Sequence, residues 1–513
     1  MGWLRVQSVA AVLALVAAAG VSHGFEFHEA TVEAIHLGFT NGSLTSEALV
    51  QFYLDRISHL NPLLHAIIEV NPDALLQARA ADARRKTAGG RLTGALDGIP
   101  VLLKDNIATR DRLNTTVGSF ALLGSVVRRD AGVVTRLRRA GAVVLGKANP
   151  TEWCHIRTVD DGWSARGGLT LNPYALSSTA CGSSAGPGVA AAANMAAVTL
   201  GTETDGSILC PASYSSVVGI KPTVGLTSRY GVVPISPRQD TVGPMCRTVA
   251  DAVQVLDVIV GYDVFDAAAT GAASKHIPAG GYMQFLKMDG LRGKRIGVLN
   301  GFFQAYDEPQ LKVFDQHITT MREHGAVVIE NLDVATNSTA LLADIGSNEW
   351  IAILAEFKLN MNVYLADLLS SPVRSLADVI AFNNAHPVEE RLEDYGQDSL
   401  IVAENTQGIG SVEKAAIQRL EELSVNGLEK LMKDRQLDAI LTPDTTASSL
   451  LAIGGHPGIV VPAGYDEAGV PYGICFGGLQ GYEPRLIEMA YAFEQATKVR
   501  RPPKYATRTS FFV

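Results

Sequence analysis

Val198-Thr199-Leu200-Gly201-Thr202-Glu203-Thr204-Asp205-Gly206-Ser207-Ile208 is a short apolar run that breaks into a polar, glycine-bearing turn. The pattern predicts a strand over 198–200 feeding a turn over 201–207. Successive backbone N–H groups in such a turn point the same way and form a ready oxyanion hole. A serine at its end can attack a carbonyl, provided a base activates it. Working outward, similar units recur. Ile99-Pro100-Val101-Leu102-Leu103 reads as a buried strand ending in Lys104-Asp105-Asn106. A helix over 132–140 leads into a strand over 142–145. Strand 295–299, helix 308–323 and strand 326–330 form another unit. Helices are expected over 45–60, where Asn61-Pro62 stops the run, over 189–197, and over 483–498. Residues 340–435 read as mainly helical, followed by a strand over 439–441 and a Gly/Pro-rich stretch over 453–473. This alternation predicts an α/β fold: a large mixed, mostly parallel β-sheet covered by helices on both faces.

The chain has 513 residues, 47% of them hydrophobic and 19% charged, with 49 glycines. Its mean hydropathy is +0.15, and an extended disordered protein is excluded. Lys+Arg is 43 and Asp+Glu is 52, a net charge of −9. That balance argues against a nucleic-acid partner. Arg5, the apolar run from Val9 to Ala19 and the small residues near Gly24 describe a secretory signal peptide over 1–24. The mature chain, 25–513, is expected to be secreted, with no stable membrane insertion. Five cysteines do not make a disulfide framework, and an odd count leaves at least one unpaired. Sequons begin at Asn41, Asn114 and Asn337 and become glycan sites if the chain enters a eukaryotic secretory path.

Some motifs mislead. Gly141 to Ala148 approaches the P-loop pattern, but Ala148 replaces the magnesium-binding hydroxyl and the spacer is an apolar strand. Histidine and cysteine spacings suggest no metal, and no cofactor is expected. Gly182-Ser183-Ser184-Ala185-Gly186 fits G-x-S-x-G with Ser184 at the elbow, so an α/β-hydrolase using His456 is one alternative. Lys104 closes an apolar strand. Its ordinary reading is a strand-end cation, whereas desolvation would make it a base.

Taken together, Gly98 through Asn106, Cys181 through Gly186, Gly201 through Ile208 with Pro211-Ala212, and Gly219-Ile220-Lys221-Pro222-Thr223 resemble the amidase signature family. Ala140 through Asn149, Gly243 through Asp251, and Pro457 through Pro462 match as well, so the resemblance covers most of 27–500. Trp163 through Gly168 and the Gly201–Ser207 turn look most like the peptide amidase branch. The resemblance implies a hydrolase of linear amide bonds working through a Ser-cisSer-Lys triad and a seryl acyl-enzyme. By motif, Ser207 is the nucleophile, Ser183 the bridging serine after a cis peptide, and Lys104 the base. Backbone amides of Thr204, Asp205, Gly206 and Ser207 would form the oxyanion hole.

The chain departs from the family pattern at several places. Cys181 replaces the first glycine of Gly-Gly-Ser-Ser, Pro187 replaces a later one, and Glu203 stands in the turn where Asp is usual. Leu209 replaces a common arginine, which makes an anionic substrate less suited. The expected substrate is a small-molecule or peptide carboxamide, cleaved to acid plus ammonia or amine. The alternatives are a fatty-acid amide hydrolase, a glutamine-dependent tRNA amidotransferase A-like subunit, and a non-catalytic binding protein on the same fold. Oligomeric state is not legible.

Overall fold

The structure, a computed structural model, describes residues 24–504; the signal peptide expected over 1–24 lies outside them except for its last residue. The strands of the main sheet are β1 (Ile67–Val70), β2 (Pro100–Lys104), β3 (Val143–Ala148), β4 (Val198–Glu203), β5 (Val218–Lys221), β6 (Thr241–Cys246), β7 (Arg295–Leu299), β8 (Val327–Leu332), β9 (Ala439–Pro443), β10 (Gly458–Tyr465) and β11 (Pro471–Gly477). They run in the order β1-β3-β2-β4-β6-β5-β10-β11-β9-β7-β8 in one 11-stranded sheet. Every residue of β2, β3, β4 and β6 is buried. Successive side chains point to opposite faces, so both faces here are covered.

The large mixed sheet with its flanking helices agrees with the sequence reading, but the balance of its pairings does not. β2 runs parallel to β3 and β4, and β7 parallel to β9 and β8. The remaining pairs, β1–β3, β4–β6, β5–β6, β5–β10, β10–β11 and β9–β11, are antiparallel. Parallel neighbours need a crossover of a dozen or more residues. The 453–473 stretch provides none. It folds into β10 and the start of β11, joined by a turn in which Asp466 N–H bonds Val470 O at 2.9 Å.

Helix boundaries move for local reasons. The helix Ser46–Leu64 runs through Asn61-Pro62 and stops at His65, φ 51°. The Asn61 side chain then bridges to both main-chain groups of Ile67 at 2.8 Å each, securing the exit into β1. The helix expected over 189–197 spans Ala185–Ala192. Pro187 thus falls in its first turn, where a missing N–H is harmless. Gly186 is required there, since a Cβ would come 2.4 Å from Asn149 N.

Candidate active site

The carboxyl ends of the parallel strands β2 and β4 lie side by side. Lys104, the last residue of β2, is fully buried. Its Nζ lies 2.7 Å from Ser183 Oγ and 3.2 Å from Thr202 O. Ser183 comes from the loop that enters the helix Ala185–Ala192, and the Gly182–Ser183 peptide is cis. Gly182 presses on Thr151: a Cβ would come 2.2 Å from Thr151 Oγ1. Thr151 N–H in turn donates to Ser183 O at 2.9 Å. Ser207 is half-buried and meets this group through its main chain, its carbonyl accepting from Ser184 N–H at 3.2 Å.

Ser184 behaves differently. Its hydroxyl is buried, donates to Thr202 O at 3.1 Å and accepts from Thr202 N–H at 3.3 Å. His456 is far from this arrangement in function: Nε2 lies 3.4 Å from Ser424 Oγ and 3.8 Å from Glu429. Burial pushes its imidazole down to about 4. The Ser184–His456 alternative is therefore corrected, because neither side chain turns to the other.

The turn carrying Ser207 is built around Glu203. The buried carboxylate accepts N–H bonds from Gly206 at 3.0 Å, Ile208 at 2.7 Å and Leu209 at 2.9 Å. Burial raises its pKa, opposed first by Lys221 and then by the Leu209 and Ile208 N–H donors. Gly206 takes φ 74°, a conformation that glycine adopts without steric cost. Of the four amides expected to form the oxyanion hole, that of Gly206 donates to Glu203 Oε1. Thr204 Oγ1 donates to Asp240 Oδ1 at 2.7 Å, and Ser449 Oγ donates to Asp205 Oδ2 at 2.6 Å. Burial lifts the Asp240 carboxyl to about 6 against its hydrogen bonds.

Burial pushes the Lys104 ammonium down, and the Cys154 thiol, Glu203 and Asp240 offset this only in part. A lysine in that state gives up its proton more readily than one in water. Asn106 supports the same corner, with Nδ2 2.9 Å from Thr202 Oγ1 and 3.4 Å from Cys154 Sγ. Cys154 sits in a left-handed turn with Trp153, Cys154 and His155 at φ 50°, 52° and 74°. The sequence reading gave Asn106, Thr202, Glu203 and Asp240 no such roles. Asn106 and Glu203 could have been found, since each is a polar residue at the end of an apolar strand. Nothing in the sequence around Cys154 announces its place beside Lys104. A cavity of about 460 Å³ lies on the Asp240 side, lined by Tyr230, Phe265 and Tyr364 among others but not by Ser183 or Ser207.

A disulfide joins Cys181 to Cys210, with Cα atoms 5.9 Å apart. Cys154, Cys246 and Cys475 remain thiols. Among the described residues, no helix is long and apolar enough to cross a membrane.

The sequence profile of the Amidase family matches residues 48–452. A protein of Arabidopsis thaliana named as a probable amidase is 55% identical over 506 residues, spanning 98% of this chain and 97% of its own. The X-ray structure of native peptide amidase from Stenotrophomonas maltophilia aligns with a TM-score of 0.86 at 43% identity, covering 93% of this chain and 99% of that one. A structure of the peptide amidase PAM with the competitive inhibitor chymostatin aligns equally well, at a TM-score of 0.86 and 43% identity over the same shares.

Proposed function

The chain belongs to the amidase family and is a hydrolase of C–N amide bonds, and from that premise we propose that it is a secreted enzyme converting a peptide or acyl carboxamide to a carboxylic acid through Lys104, Ser183 and Ser207. The observation that carries this reading is the 2.7 Å contact between Lys104 Nζ and Ser183 Oγ at a fully buried lysine. Neutral Lys104 takes the Ser183 proton as Ser183 takes that of Ser207. Ser207 Oγ adds to the amide carbon, and the oxyanion is held by main-chain amides of the Thr204–Ser207 turn. The proton returns through Ser183 to the leaving nitrogen. Water then hydrolyses the acyl-enzyme by the same relay.

A peptide amide is the favoured substrate class, on the likeness to the peptide amidase of Stenotrophomonas maltophilia. Secretion rests on the leader pattern over 1–24. If the chain is glycosylated, Asn41 and Asn337 are the suitable acceptors, because both are exposed. Asn114 is not, since its Nδ2 is held by both Glu69 carboxylate oxygens at 3.1 Å.

The test is ammonia release from peptide amides, fatty amides, indole acetamide and glutamine by the purified enzyme and by Ser207→Ala. The expected result is release from peptide amides that Ser207→Ala abolishes in a folded protein. Undiminished release by the variant would remove Ser207 from the reaction. N-terminal sequencing of secreted material should begin near Phe25; retention of Met1 would overturn the extracellular assignment.

A further inference from the structure

Each of the two serine-bearing segments has an anchor of its own besides the contacts between them. The Ser183 loop is held by Thr151, through Gly182 packing and the Thr151 N–H bond. The Ser207 turn is held by Glu203 inside the sheet. Between them run the main-chain bond from Ser184 N–H to Ser207 O at 3.2 Å and the two bonds joining Ser184 Oγ to the main chain of Thr202 at the root of the Ser207 turn. The disulfide supplies the covalent link. Cys181 lies two residues before Ser183, and Cys210 lies three after Ser207 in the first turn of the helix Leu209–Tyr214. The loop it closes contains both serines, the helix Ala185–Ala192 and β4.

The residue at 181 is itself informative. Its φ is 54°, in the left-handed region where glycine is favoured. This is the position where the family pattern carries glycine. A cysteine there adopts a backbone conformation that disfavours any side chain, and what its side chain does is bond Cys210.

We propose that the Cys181–Cys210 disulfide is a positioning element of the amidase reaction, holding the Ser183 loop against the Ser207 turn so that turnover depends on the bond being intact. The inference rests on the reading of Ser183 as relay and Ser207 as nucleophile. Both sulfurs belong to half-buried residues, within reach of a small dithiol. The remaining thiols are poor exchange partners: burial pushes Cys154, Cys246 and Cys475 up, away from the reactive thiolate form. A disulfide at such a place also suits an oxidising compartment, in keeping with the leader.

Dithiothreitol provides the test. One of its thiolates attacks a sulfur of the bond to give a mixed disulfide, and its second thiol closes the ring. Two electrons and two protons pass to Cys181 and Cys210, which become thiols. Reduction is followed by alkylation and mass spectrometry, below the unfolding temperature and on the full mature enzyme. The activity probe is the best peptide amide of the panel above. The substrate-independent probe is the rate at which a fluorophosphonate labels Ser207. The expected result is a fall in kcat of about tenfold or more with KM within about twofold, equally slowed labelling, and recovery on reoxidation with oxidised glutathione. Cys210→Ala should behave like the reduced enzyme. Cys181→Gly/Cys210→Ala should recover part of the rate, because glycine holds φ 54° without the cross-link. Complete reduction with kcat and labelling unchanged would overturn the proposal. So would a loss of rate that only tracks unfolding by circular dichroism. Loss of labelling in oxidised Ser207→Ala tests the parent reading separately.

Discussion

Lys104 ends β2 and Lys147 lies one residue before the end of the parallel neighbour β3, Leu103 facing Lys147 and Lys104 facing Ala148. Both are fully buried, and burial pushes both ammoniums down, Lys147 to about 8. Their partners differ. Lys147 Nζ donates to Ile107 O at 2.7 Å and Thr115 Oγ1 at 2.8 Å, with Asp105 as the nearest countercharge in effect. Asp105 in turn accepts from the Thr116 and Gly118 amides at 3.2 Å each, so Lys147 secures a loop. Lys104 faces the hydroxyl of Ser183, whose loop lies against a turn carrying another serine. Desolvation makes a lysine able to act as a base, and the neighbouring hydroxyl decides whether it has a proton to move.

The contrast breaks most sharply under truncation. Lys104→Ala should lower kcat/KM by at least about 10³-fold in a folded protein, the upper range for a general base. Lys147→Met should leave kcat within about threefold while costing roughly 1–3 kcal/mol of stability, because the buried Ile107 carbonyl and Thr115 hydroxyl lose their donor. Ammonia release and urea midpoints measure both. Inactive but undestabilised Lys147→Met would show that the two lysines had been told apart wrongly.

The pH profile sharpens the same difference. The lowered pKa of Lys104 keeps its neutral form populated to lower pH than a solvent-exposed lysine. Below that pKa the ammonium dominates, so kcat/KM should fall about tenfold per pH unit on the acid side. Lys147→Met should leave this limb in place. A rate that stays level down to pH 4 would contradict a lysine base.

Glu203→Gln is expected to act more mildly, with about a tenfold loss in kcat/KM and about 1–3 kcal/mol in stability. The amide keeps one acceptor oxygen, whereas the two carboxylate oxygens accept from three N–H donors. Ser184→Ala should have the smallest effect, about threefold in kcat with about 1 kcal/mol of stability, since its hydroxyl serves only Thr202 main chain. If Ser184→Ala abolished activity while Ser207→Ala did not, the roles of the two serines would be exchanged.

Lys104 and Ser207 stood out because each lies where an apolar run stops at a polar residue, but the roles of Lys104, Ser183 and Ser207 came only from the resemblance to the amidase signature family. Lys104 closes β2 and the Ser207 turn follows β4, and both patterns are local. Asp240 was not legible: it reaches Thr204 from a separate loop, 36 residues away in sequence. The engagement of the Gly206 amide was not legible either. Glu203 lies in the same turn, but its side chain could equally have pointed into solvent until Lys221 and the sheet enclosed it.

The sequence by itself determined β2, β3, β4, β7, β8 and β9, several helices and the order of the amidase motifs, because apolar periodicity and turn residues act over a few neighbours, whereas β1, β5, β6, β10 and β11 were not legible in it. Strand direction, the joining of Cys181 to Cys210 and the contact of Lys104 with Ser183 were decided only by the tertiary structure. Each depends on where remote segments come to rest once the two faces of the sheet are buried, and no local pattern carries that information.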